Sequence, residues 1–372
     1  MKIELLTLQC IKNYGSVLQT YATEKILNEF FQEVETIRFV RDDSAYDNML
    51  TEWVKHETGL KKVVKKIFLF PMCCRYKKVF NSFLDKYINL TDEEYRKGND
   101  FSKYPIKADV FCVGSDQVWN SSWNKGILPA MYLDFVPDDI MKFSFCSSFG
   151  VTRLPEKEIK ETTRLLKRLK YISVRESSAV ELLDNLGIEN AKHILDPTLL
   201  MSAEFWKEIS APKLIKEDYV LVYQLNPNQE FDEYAQKFAE KKKMKLVYIG
   251  MRMKDKLKKG KVFLMPEVEE FLSLIQYASY VITDSFHGTA FSINFNREVI
   301  DIYPNEFSTR LSSILKWAGI SCRHLESFDD FEIANEKIDY VTINHKLEKE
   351  RTKAREFLKK IKNDVEREND II

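Results

Sequence analysis

The chain repeats one pattern many times: an apolar strand, a turn of small polar residues, and an amphipathic helix. KIELLTL (2–8) leads through the turn NYG into a segment at 16–30 whose apolar residues recur at helical spacing. The same rhythm restarts at YVLVYQL (219–225) and continues to EVIDIY (298–303). Strands that alternate with helices pair in parallel and are covered by helices on both faces. The pattern therefore predicts an α/β fold.

A polar connector with a proline, APKLIKED (211–218), separates two runs of this alternation. A chain of 372 residues is also too long for one domain of ordinary size. We therefore predict an N-terminal Rossmann-like domain (1–200), a C-terminal Rossmann-like domain (201–345) and a C-terminal helix (346–372) that packs back on the first domain. The two domains are expected to face a cleft.

Residues 41–105 interrupt the alternation and are predicted to form a helical insertion in the first domain. Between residues 55 and 78, eight Lys and Arg residues accompany a single acidic residue and are interleaved with VV, IFLF and CC. One interpretation is a helix with a solvated basic face. The other is a patch that meets anionic lipid head groups or a lipid-linked phosphorylated acceptor.

Composition excludes several classes of protein. The formal net charge is zero, which gives no support for nucleic-acid binding. No segment approaches the roughly 20 apolar residues that span a membrane. The start, MKIELLTLQC, carries Glu4 and is typical of a strand rather than a signal peptide. The six cysteines show no metal-ligand spacing, so we expect a cytoplasmic protein without a metal site.

Four polar corners follow predicted strands, where open parallel sheets bind their ligands. They are NYGSVLQTYA (13–22), VGSDQVWN (113–120), SVRESSA (173–179) and DSFHGTAFS (284–292). The common nucleotide-binding fingerprints GxGxxG and GxxxxGK[ST] are absent after these strands.

The corner DSFHG places His287 at the predicted start of a helix, with Ser285 and Thr289 beside it. Free backbone N–H groups and the positive end of the helix dipole favour an anion there, and Gly288 allows close approach of a ligand. The histidine would bind a phosphate or carboxylate, or exchange a proton near neutral pH. The alternative is a capping histidine with a local hydrogen bond.

Two arginines could add positive charge to such a pocket. Arg175 directly follows the predicted strand YISV, and its guanidinium could hold a carboxylate or phosphate bidentately. An ion pair with Glu176 or Asp196 is the structural alternative. Arg310 opens an amphipathic helix after EVIDIY, where a surface role is equally compatible with the pattern.

The remaining corners carry groups suited to a sugar. In GSDQVWN, Asp116 could cap a helix or hold sugar hydroxyls, and Trp119 could stack on a sugar ring or belong to the core. In NYGSVLQ, the side chains of Asn13, Tyr14 and Gln19 could bind an acceptor while Gly15 shapes the turn.

Taken in order along the chain, these motifs resemble the polysaccharide pyruvyl transferase family. The resemblance rests on NYGSVLQTYA, VGSDQVWN, SVRESSAVELLDNLGI with LDPTLL, and DSFHGTAFSINFN with STRLSSILKWAGI. It covers most of the chain, from about residue 3 to 325.

The resemblance implies a GT-B-like fold and transfer of a pyruvyl group from phosphoenolpyruvate to a sugar as a ketal. It also implies that His287 and Arg175 act on phosphoenolpyruvate as catalytic residues. From their positions in the corners, the donor-binding residues are predicted to be Ser285, Phe286, Gly288, Thr289 and Arg310. The acceptor-binding residues are predicted to be Asn13, Tyr14, Gly15, Gln19, Ser115, Asp116 and Trp119.

On this basis the partners are phosphoenolpyruvate as co-substrate and a sugar or lipid-linked oligosaccharide of a bacterial capsule or exopolysaccharide, with no cofactor required. The basic segment 55–78 would allow peripheral contact with the inner face of the membrane. Two other functions fit the same pattern: a GT-B glycosyltransferase that uses a sugar nucleotide, and a non-catalytic sugar-binding protein.

Overall fold

The computed structural model describes residues 1–42, 44–96, 98, 100–304 and 309–369. The chain divides into two compact units. The first unit comprises residues 1–49, 81–200 and 349–372, and the second comprises residues 50–80 and 201–348.

Twelve strands are assigned in the described ranges: β1 Lys2–Leu6, β2 Glu33–Phe39, β3 Leu90–Tyr95, β4 Val110–Val113, β5 Met141–Ser144, β6 Ser173–Val174, β7 Lys192–His193, β8 Tyr219–Tyr223, β9 Lys245–Gly250, β10 Lys261–Leu264, β11 Tyr280–Thr283 and β12 Glu298–Asp301.

Fourteen α-helices accompany them in the same ranges: α1 Tyr14–Leu27, α2 Tyr46–Trp53, α3 Gly59–Tyr87, α4 Asp100–Lys103, α5 Ser121–Asn124, α6 Glu156–Leu166, α7 Ser177–Asn185, α8 Pro197–Leu200, α9 Ala203–Ile209, α10 Gln229–Lys242, α11 Val268–Gln276, α12 Phe286–Asn294, α13 Thr309–Ala318 and α14 Tyr340–Asn369.

Each unit is built on a five-stranded parallel sheet, and the two sheets have equivalent strand orders. The first sheet has the order β3-β2-β1-β4-β5, and the second has the order β10-β9-β8-β11-β12. A short third sheet pairs β6 with β7. The central strands β4, β8 and β11 are buried along their whole length, as expected when helices cover both faces of a parallel sheet. The predicted α/β fold is confirmed.

Both strands that the sequence pattern missed in these sheets lie at an edge. β3 occupies residues 90–95, inside the segment predicted to be helical, and β10 occupies residues 261–264. LTDEEY has three consecutive exposed residues between the buried Thr91 and Tyr95. An edge strand covered on one side tolerates polar residues, so β3 lacks the apolar run by which the central strands were recognised. The other missed strand, β10 (KVFL), has a run of three apolar residues that are only partly buried.

The predicted insertion at 41–105 also differs from expectation in its membership. Its helices α2 and α3 form as predicted, but residues 50–80 belong to the second unit instead of the first. Arg75 of α3 donates to the carbonyl of Met265 at 2.9 Å and pairs with Glu267 at 2.7 Å. The Tyr76 hydroxyl donates to the carbonyl of Met251 at 2.8 Å. These contacts were invisible to local sequence patterns because they join residues 175 to 192 positions apart.

The C-terminal helix α14 begins at Tyr340, six positions before its predicted start, and its residues from 349 onward belong to the first unit. Arg355 pairs with Glu29 at 2.7 Å, and Phe357 packs against Phe145 and Tyr171. The expectation that this helix packs back on the first part of the chain is therefore confirmed. Within the described ranges, no helix combines the length and the apolar character needed to cross a bilayer.

Candidate functional site

The strand order of each sheet reverses at one place, between β1 and β4 in the first unit and between β8 and β11 in the second. Ligands of open parallel sheets bind beyond the carboxyl ends of the strands at such a switch point. The predicted corners at 13–22 and 113–120 follow β1 and β4, and the corner at 284–292 follows β11. Three of the four predicted corners thus lie at a switch point.

In the second unit the switch point is formed by residues 284–289 with Asn226, a group we call the histidine corner. Ser285 is the N-cap of α12, and its Oγ accepts the Gly288 N–H at 3.3 Å. His287 is the second residue of the helix and is 6% exposed. Its ring meets the Phe286 ring edge-on, with 5.2 Å between centroids. This places an imidazole at the positive end of a helix dipole, where an anion is favoured.

Asp284 was not among the predicted site residues. Its carboxylate links the segment that follows β11 to the loop that follows β8. Its carboxylate accepts the backbone N–H groups of Leu225 at 2.7 Å and Asn226 at 2.8 Å, and the Asn226 side-chain amide at 3.0 Å. Burial raises the pKa of Asp284, and these hydrogen bonds oppose that shift. Its position directly after a buried strand was a local signal, but the N–H groups that it binds are supplied by the loop after β8.

Gly288 is required by the packing of α12 against the sheet. A β-carbon at this position would lie 2.5 Å from the Thr283 Oγ1. That hydroxyl donates to the Tyr223 carbonyl at 2.7 Å and accepts the Ser285 N–H at 3.0 Å, so it is held in place. The glycine therefore admits the helix itself close to β11, and its predicted place beside a ligand stays a prediction.

Thr289 connects the helix to a buried carboxyl group at the end of β12. Its Oγ1 lies 2.6 Å from Asp301 Oδ1 and 3.1 Å from the Ser285 carbonyl oxygen. Burial raises the pKa of Asp301 to about 8. A hydroxyl has one proton, so a protonated Asp301 that donates to Thr289 Oγ1 leaves the threonine proton for the Ser285 carbonyl. This arrangement stabilises the first turn of α12.

Arg310 lies in the first turn of α13, and its guanidinium carbon is 5.9 Å from the centre of the Phe286 ring. It therefore approaches the residue adjacent to His287, and its predicted role in an anion pocket stays a prediction. Ser308, which precedes this helix in the motif quoted above, lies outside the described residues.

A pocket of about 500 Å³ lies beside the loop after β8 and was not predicted. Gln224, Tyr248, Arg252 and Lys258 contribute to its lining. The Lys258 ammonium donates to Gln224 Oε1 and to Asp232 Oδ1, both at 2.7 Å, and Arg252 pairs with Asp255 at 3.2 Å. Because these cations already have carboxylate partners, the pocket carries less net positive charge than its lysines suggest.

In the first unit Arg175 forms the centre of a buried cluster with Asp116, Glu176 and Asp196, which we call the arginine network. Its guanidinium contacts Asp196 at 2.7 Å, Glu176 at 3.1 Å and Asp116 at 3.2 Å, and its side chain is fully buried. Burial lowers the pKa of Arg175, but the three carboxylates raise it by more, so the pKa lies above its ordinary value.

The arginine network joins the polar corners of the first unit. Ser16 of α1 donates to Asp116 at 2.8 Å, and Ser115 donates to Asp196 at 3.1 Å. Asp116 adopts the left-handed backbone conformation, with φ of 70°, which aspartate tolerates better than most residues. The structure therefore brings the 13–22, 113–120 and 173–179 corners together, and it places Arg175 in the ion pairs that were its structural alternative.

Of the seven predicted acceptor-binding residues, all of which are described, six are buried and Asn13 is partly exposed. Asn13 is the N-cap of α1, and its side chain accepts the Gly15 N–H at 2.8 Å. Gln19 donates to Thr7 Oγ1 inside the protein. Tyr14, Gly15, Ser115 and Asp116 are buried as well.

Trp119 lies in the hydrophobic core of the first unit instead of on a sugar-binding surface. It is 1% exposed, its indole N–H donates to the Met131 carbonyl at 2.8 Å, and its ring stacks on Tyr132. The core position is the second of the two interpretations that the sequence left open. Across the described residues, no group of three or more His, Cys, Asp or Glu side chains could hold a metal ion.

Comparison with models of known protein families identifies one match. The profile of the polysaccharide pyruvyl transferase family matches residues 13–305, which include Arg175 and the histidine corner. A search of the curated proteins found no match.

Solved structures with a similar fold cover nearly the whole chain. UDP-N-acetylglucosamine 2-epimerase from Rickettsia bellii is 11% identical, with 99% of this chain and 98% of that chain covered and a TM-score of 0.50. The Neisseria meningitidis UDP-GlcNAc 2-epimerase bound to UDP-GlcNAc is 9% identical, with 98% and 99% covered and a TM-score of 0.50. A UDP-glucosyltransferase from Polygonum tinctorium is 8% identical, with 98% of both chains covered and a TM-score of 0.50. These are GT-B enzymes, and at such identity the likeness shows the fold alone.

Proposed function

The chain belongs to the polysaccharide pyruvyl transferase family, and from that premise we propose that it moves a pyruvyl group from phosphoenolpyruvate onto a sugar of a surface polysaccharide or of its lipid-linked precursor. The product in this proposal is a cyclic ketal. The observation that carries the proposal is the position of His287, within the matched span, in the first turn of α12 and at the switch point of the second sheet.

The histidine corner suits the charge of the proposed donor. Phosphoenolpyruvate carries a phosphate and a carboxylate, and the N-terminal turn of α12 offers backbone N–H groups and the positive end of its dipole. Arg310, whose guanidinium lies over the Phe286 ring, adds a permanent positive charge near the same turn. We therefore assign Ser285, Phe286, Gly288, Thr289 and Arg310 to the donor side of the proposal.

The proposed reaction adds two sugar hydroxyl groups to one carbon. A proton goes to the methylene carbon of phosphoenolpyruvate, which makes C2 electrophilic. The first hydroxyl oxygen bonds to C2, and the second replaces the phosphate, which leaves with its bonding electrons. One hydroxyl proton balances the new methyl group and the other balances the released phosphate. In this scheme His287 supplies the proton or holds the phosphate, either of which is within the chemistry of imidazole.

Arg175 takes a different part in the proposal from the one that the family resemblance implied. Its three carboxylate partners engage its nitrogen atoms, so we assign it the positioning of Asp116 and Asp196 instead of direct contact with phosphate. The acceptor sugar is then expected at the carboxyl edge of the first sheet, near Asn13.

The test is an assay of the full chain with phosphoenolpyruvate and candidate galactosyl and mannosyl acceptors. Acceptor-dependent phosphate release and a ketal methyl signal in the NMR spectrum of the product are expected. His287→Ala should lower the rate at least about 100-fold, the lower end of the range for loss of a general acid or base. His345→Ala, which replaces an exposed histidine of the second unit, is the matched control and should keep full activity.

Two results would contradict the proposal. One is full activity of the His287→Ala variant. The other is thermal stabilisation by uridine diphosphate and not by phosphoenolpyruvate, since a ligand stabilises the state that binds it. The second result would favour a glycosyltransferase with a sugar-nucleotide donor.

For Arg175, kinetics separate positioning from donor contact. In an Arg175→Lys variant we expect the KM for the acceptor to rise by more than the KM for phosphoenolpyruvate. A rise confined to phosphoenolpyruvate would place the guanidinium on the donor.

A further inference from the structure

The first half of α3 carries a row of apolar side chains on its outer surface. Twelve large hydrophobic side chains are exposed in the described part of the chain, and half of them come from 11 consecutive residues of this helix. These six, which we call the α3 stripe, are Leu60, Val63, Val64, Ile67, Phe68 and Phe70. They are between 53% and 79% exposed.

The α3 stripe forms one continuous face of the helix. At about 100° per residue, its six side chains fall within an arc of about 160°. The lysines of the same segment occupy the rest of the circumference: Lys61, Lys62, Lys65 and Lys66. Further along the helix, Met72, Val79 and Phe80 are buried. On the same helical geometry these three lie about 100° to 160° from the centre of the α3 stripe and outside its arc, so α3 packs on the protein by a different side from the one that carries the stripe.

Such a face is unusual on a folded protein. Apolar side chains that are exposed singly need no explanation, but a contiguous apolar patch marks an interaction surface. The second half of the helix shows that α3 is firmly held, since Arg75 pairs with Glu267 and Tyr76 donates to the Met251 carbonyl. The stripe is therefore presented by an anchored helix.

The charges around the stripe indicate what covers it. The segment 55–78 has eight basic residues and one acidic residue, Glu57. A second copy of the chain docked through the same stripe would bring two sets of lysines together, which like-charge repulsion opposes. An anionic surface has the complementary charge, and a helix with Leu and Phe on one face and Lys on the other is the type that lies in the interface of a bilayer.

We propose that the α3 stripe binds the surface of an anionic lipid bilayer, with Leu60, Ile67 and Phe68 at the acyl boundary and the lysines among the head groups. The proposal concerns binding to a membrane surface and does not depend on the pyruvyl transfer proposed above.

The test is flotation of the full chain with two kinds of vesicle, phosphatidylcholine alone and phosphatidylcholine mixed with phosphatidylglycerol. Binding is expected to the mixed vesicles and to weaken at high salt, because the lysine contribution is screened. Ile67→Glu/Phe68→Glu should weaken binding by at least about tenfold, since both side chains leave water when the stripe binds. Lys61→Gln/Lys62→Gln should weaken it by roughly tenfold through lost attraction to the head groups.

Val341→Glu is the matched control. Val341 is 83% exposed on α14, so the substitution adds a charge of the same sign at an exposed apolar site outside the stripe, and vesicle binding should not change. Circular dichroism of each variant verifies that it is folded.

Three results would overturn the proposal. They are failure of the chain to bind the mixed vesicles, equal binding after Ile67→Glu/Phe68→Glu, and equal binding to neutral and anionic vesicles. A dimer in sedimentation velocity that Ile67→Glu/Phe68→Glu dissociates, without any vesicle binding, would assign the stripe to a second copy of the chain instead.

Discussion

The arginine network and the histidine corner occupy comparable places in two sheets of equivalent strand order, yet their charges differ. In the first unit a buried arginine is surrounded by three carboxylates, so its hydrogen-bonding groups are engaged within the protein. In the second unit a histidine stands in the first turn of a helix, and the guanidinium of Arg310 lies over the ring of the adjacent Phe286. The comparison teaches that topology places polar groups at a sheet edge, while the side chains decide whether that edge stabilises the fold or can receive an anion.

The largest effect on stability is expected from Arg175→Ala. Removing the guanidinium leaves three buried carboxylates without their counter-charge, which costs roughly 3–5 kcal/mol of unfolding free energy. Urea denaturation measures it. Arg164→Ala is the matched control: Arg164 pairs with Glu161 on the surface, its side chain is 51% exposed, and its loss should cost at most about 1 kcal/mol. Equal costs for the two variants would mean that the arginine network contributes no more than a surface ion pair.

The next largest effect on stability is expected from Gly288→Ala, a substitution in the histidine corner. The new β-carbon would meet Thr283 Oγ1 at 2.5 Å, and overpacking of this kind typically costs about 1–3 kcal/mol. Gly98→Ala, at a position with no atom within 4 Å of the added carbon, should leave stability unchanged. Thermal melts compare the two variants. If Gly288→Ala melted with the parent protein, α12 would not need its close approach to β11.

The pH dependence of stability tests the buried carboxyl group beneath α12. The pKa of Asp301 is raised to about 8 in the folded protein, above its value near 4 when unfolded. The folded state therefore holds a proton that the unfolded state loses, and stability from this group falls as pH rises from about 4 to about 8.

Asp301→Asn removes this titration. The difference in unfolding free energy between the parent and Asp301→Asn should fall by up to about 1.4 kcal/mol per pH unit between pH 5 and pH 7. Urea titrations at several pH values provide the measurement. A difference that stays constant with pH would show that Asp301 is ionised in the folded protein.

The smallest effects on stability are expected from substitution of the two helix N-caps at the switch points. Asn13→Ala and Ser285→Ala each remove a side-chain acceptor from a first turn, at a cost of about 0.5–2 kcal/mol. The stability losses should be similar. Thermal stabilisation by phosphoenolpyruvate should decrease for Ser285→Ala and remain for Asn13→Ala. The reverse order would move the proposed donor to the first sheet.

Sequence patterns predicted the central elements well because buried parallel strands are continuous apolar runs. YVIT at β11 and KLVYIG at β9 have the boundaries expected for them. The two edge strands were not predicted for different reasons: β3 keeps polar residues, whereas the apolar run of β10 is only three residues long and partly buried. The assignment of residues 50–80 to the second unit depended on contacts such as that of Arg75 with Glu267, which no local pattern contains.

In the polar corners, too, some residues were predicted from the sequence and others were not. The sequence selected His287 because a histidine between a strand and a helix has a local signature, and the structure places it in the first turn of α12. Asp284 and Asp301 were not selected, because their significance comes from the loop after β8 and from Thr289.

By itself, the sequence determined the α/β class, the succession of strands and helices, and the histidine at the end of β11, because all three depend on residues within a few positions of one another. Tertiary structure alone decided that Arg175 is enclosed by Asp116, Glu176 and Asp196, residues separated by up to 80 positions, and that Trp119 is a core residue. The physical reason is that a charged side chain is engaged or available according to its neighbours in space, and distant segments of the chain supply those neighbours only after folding.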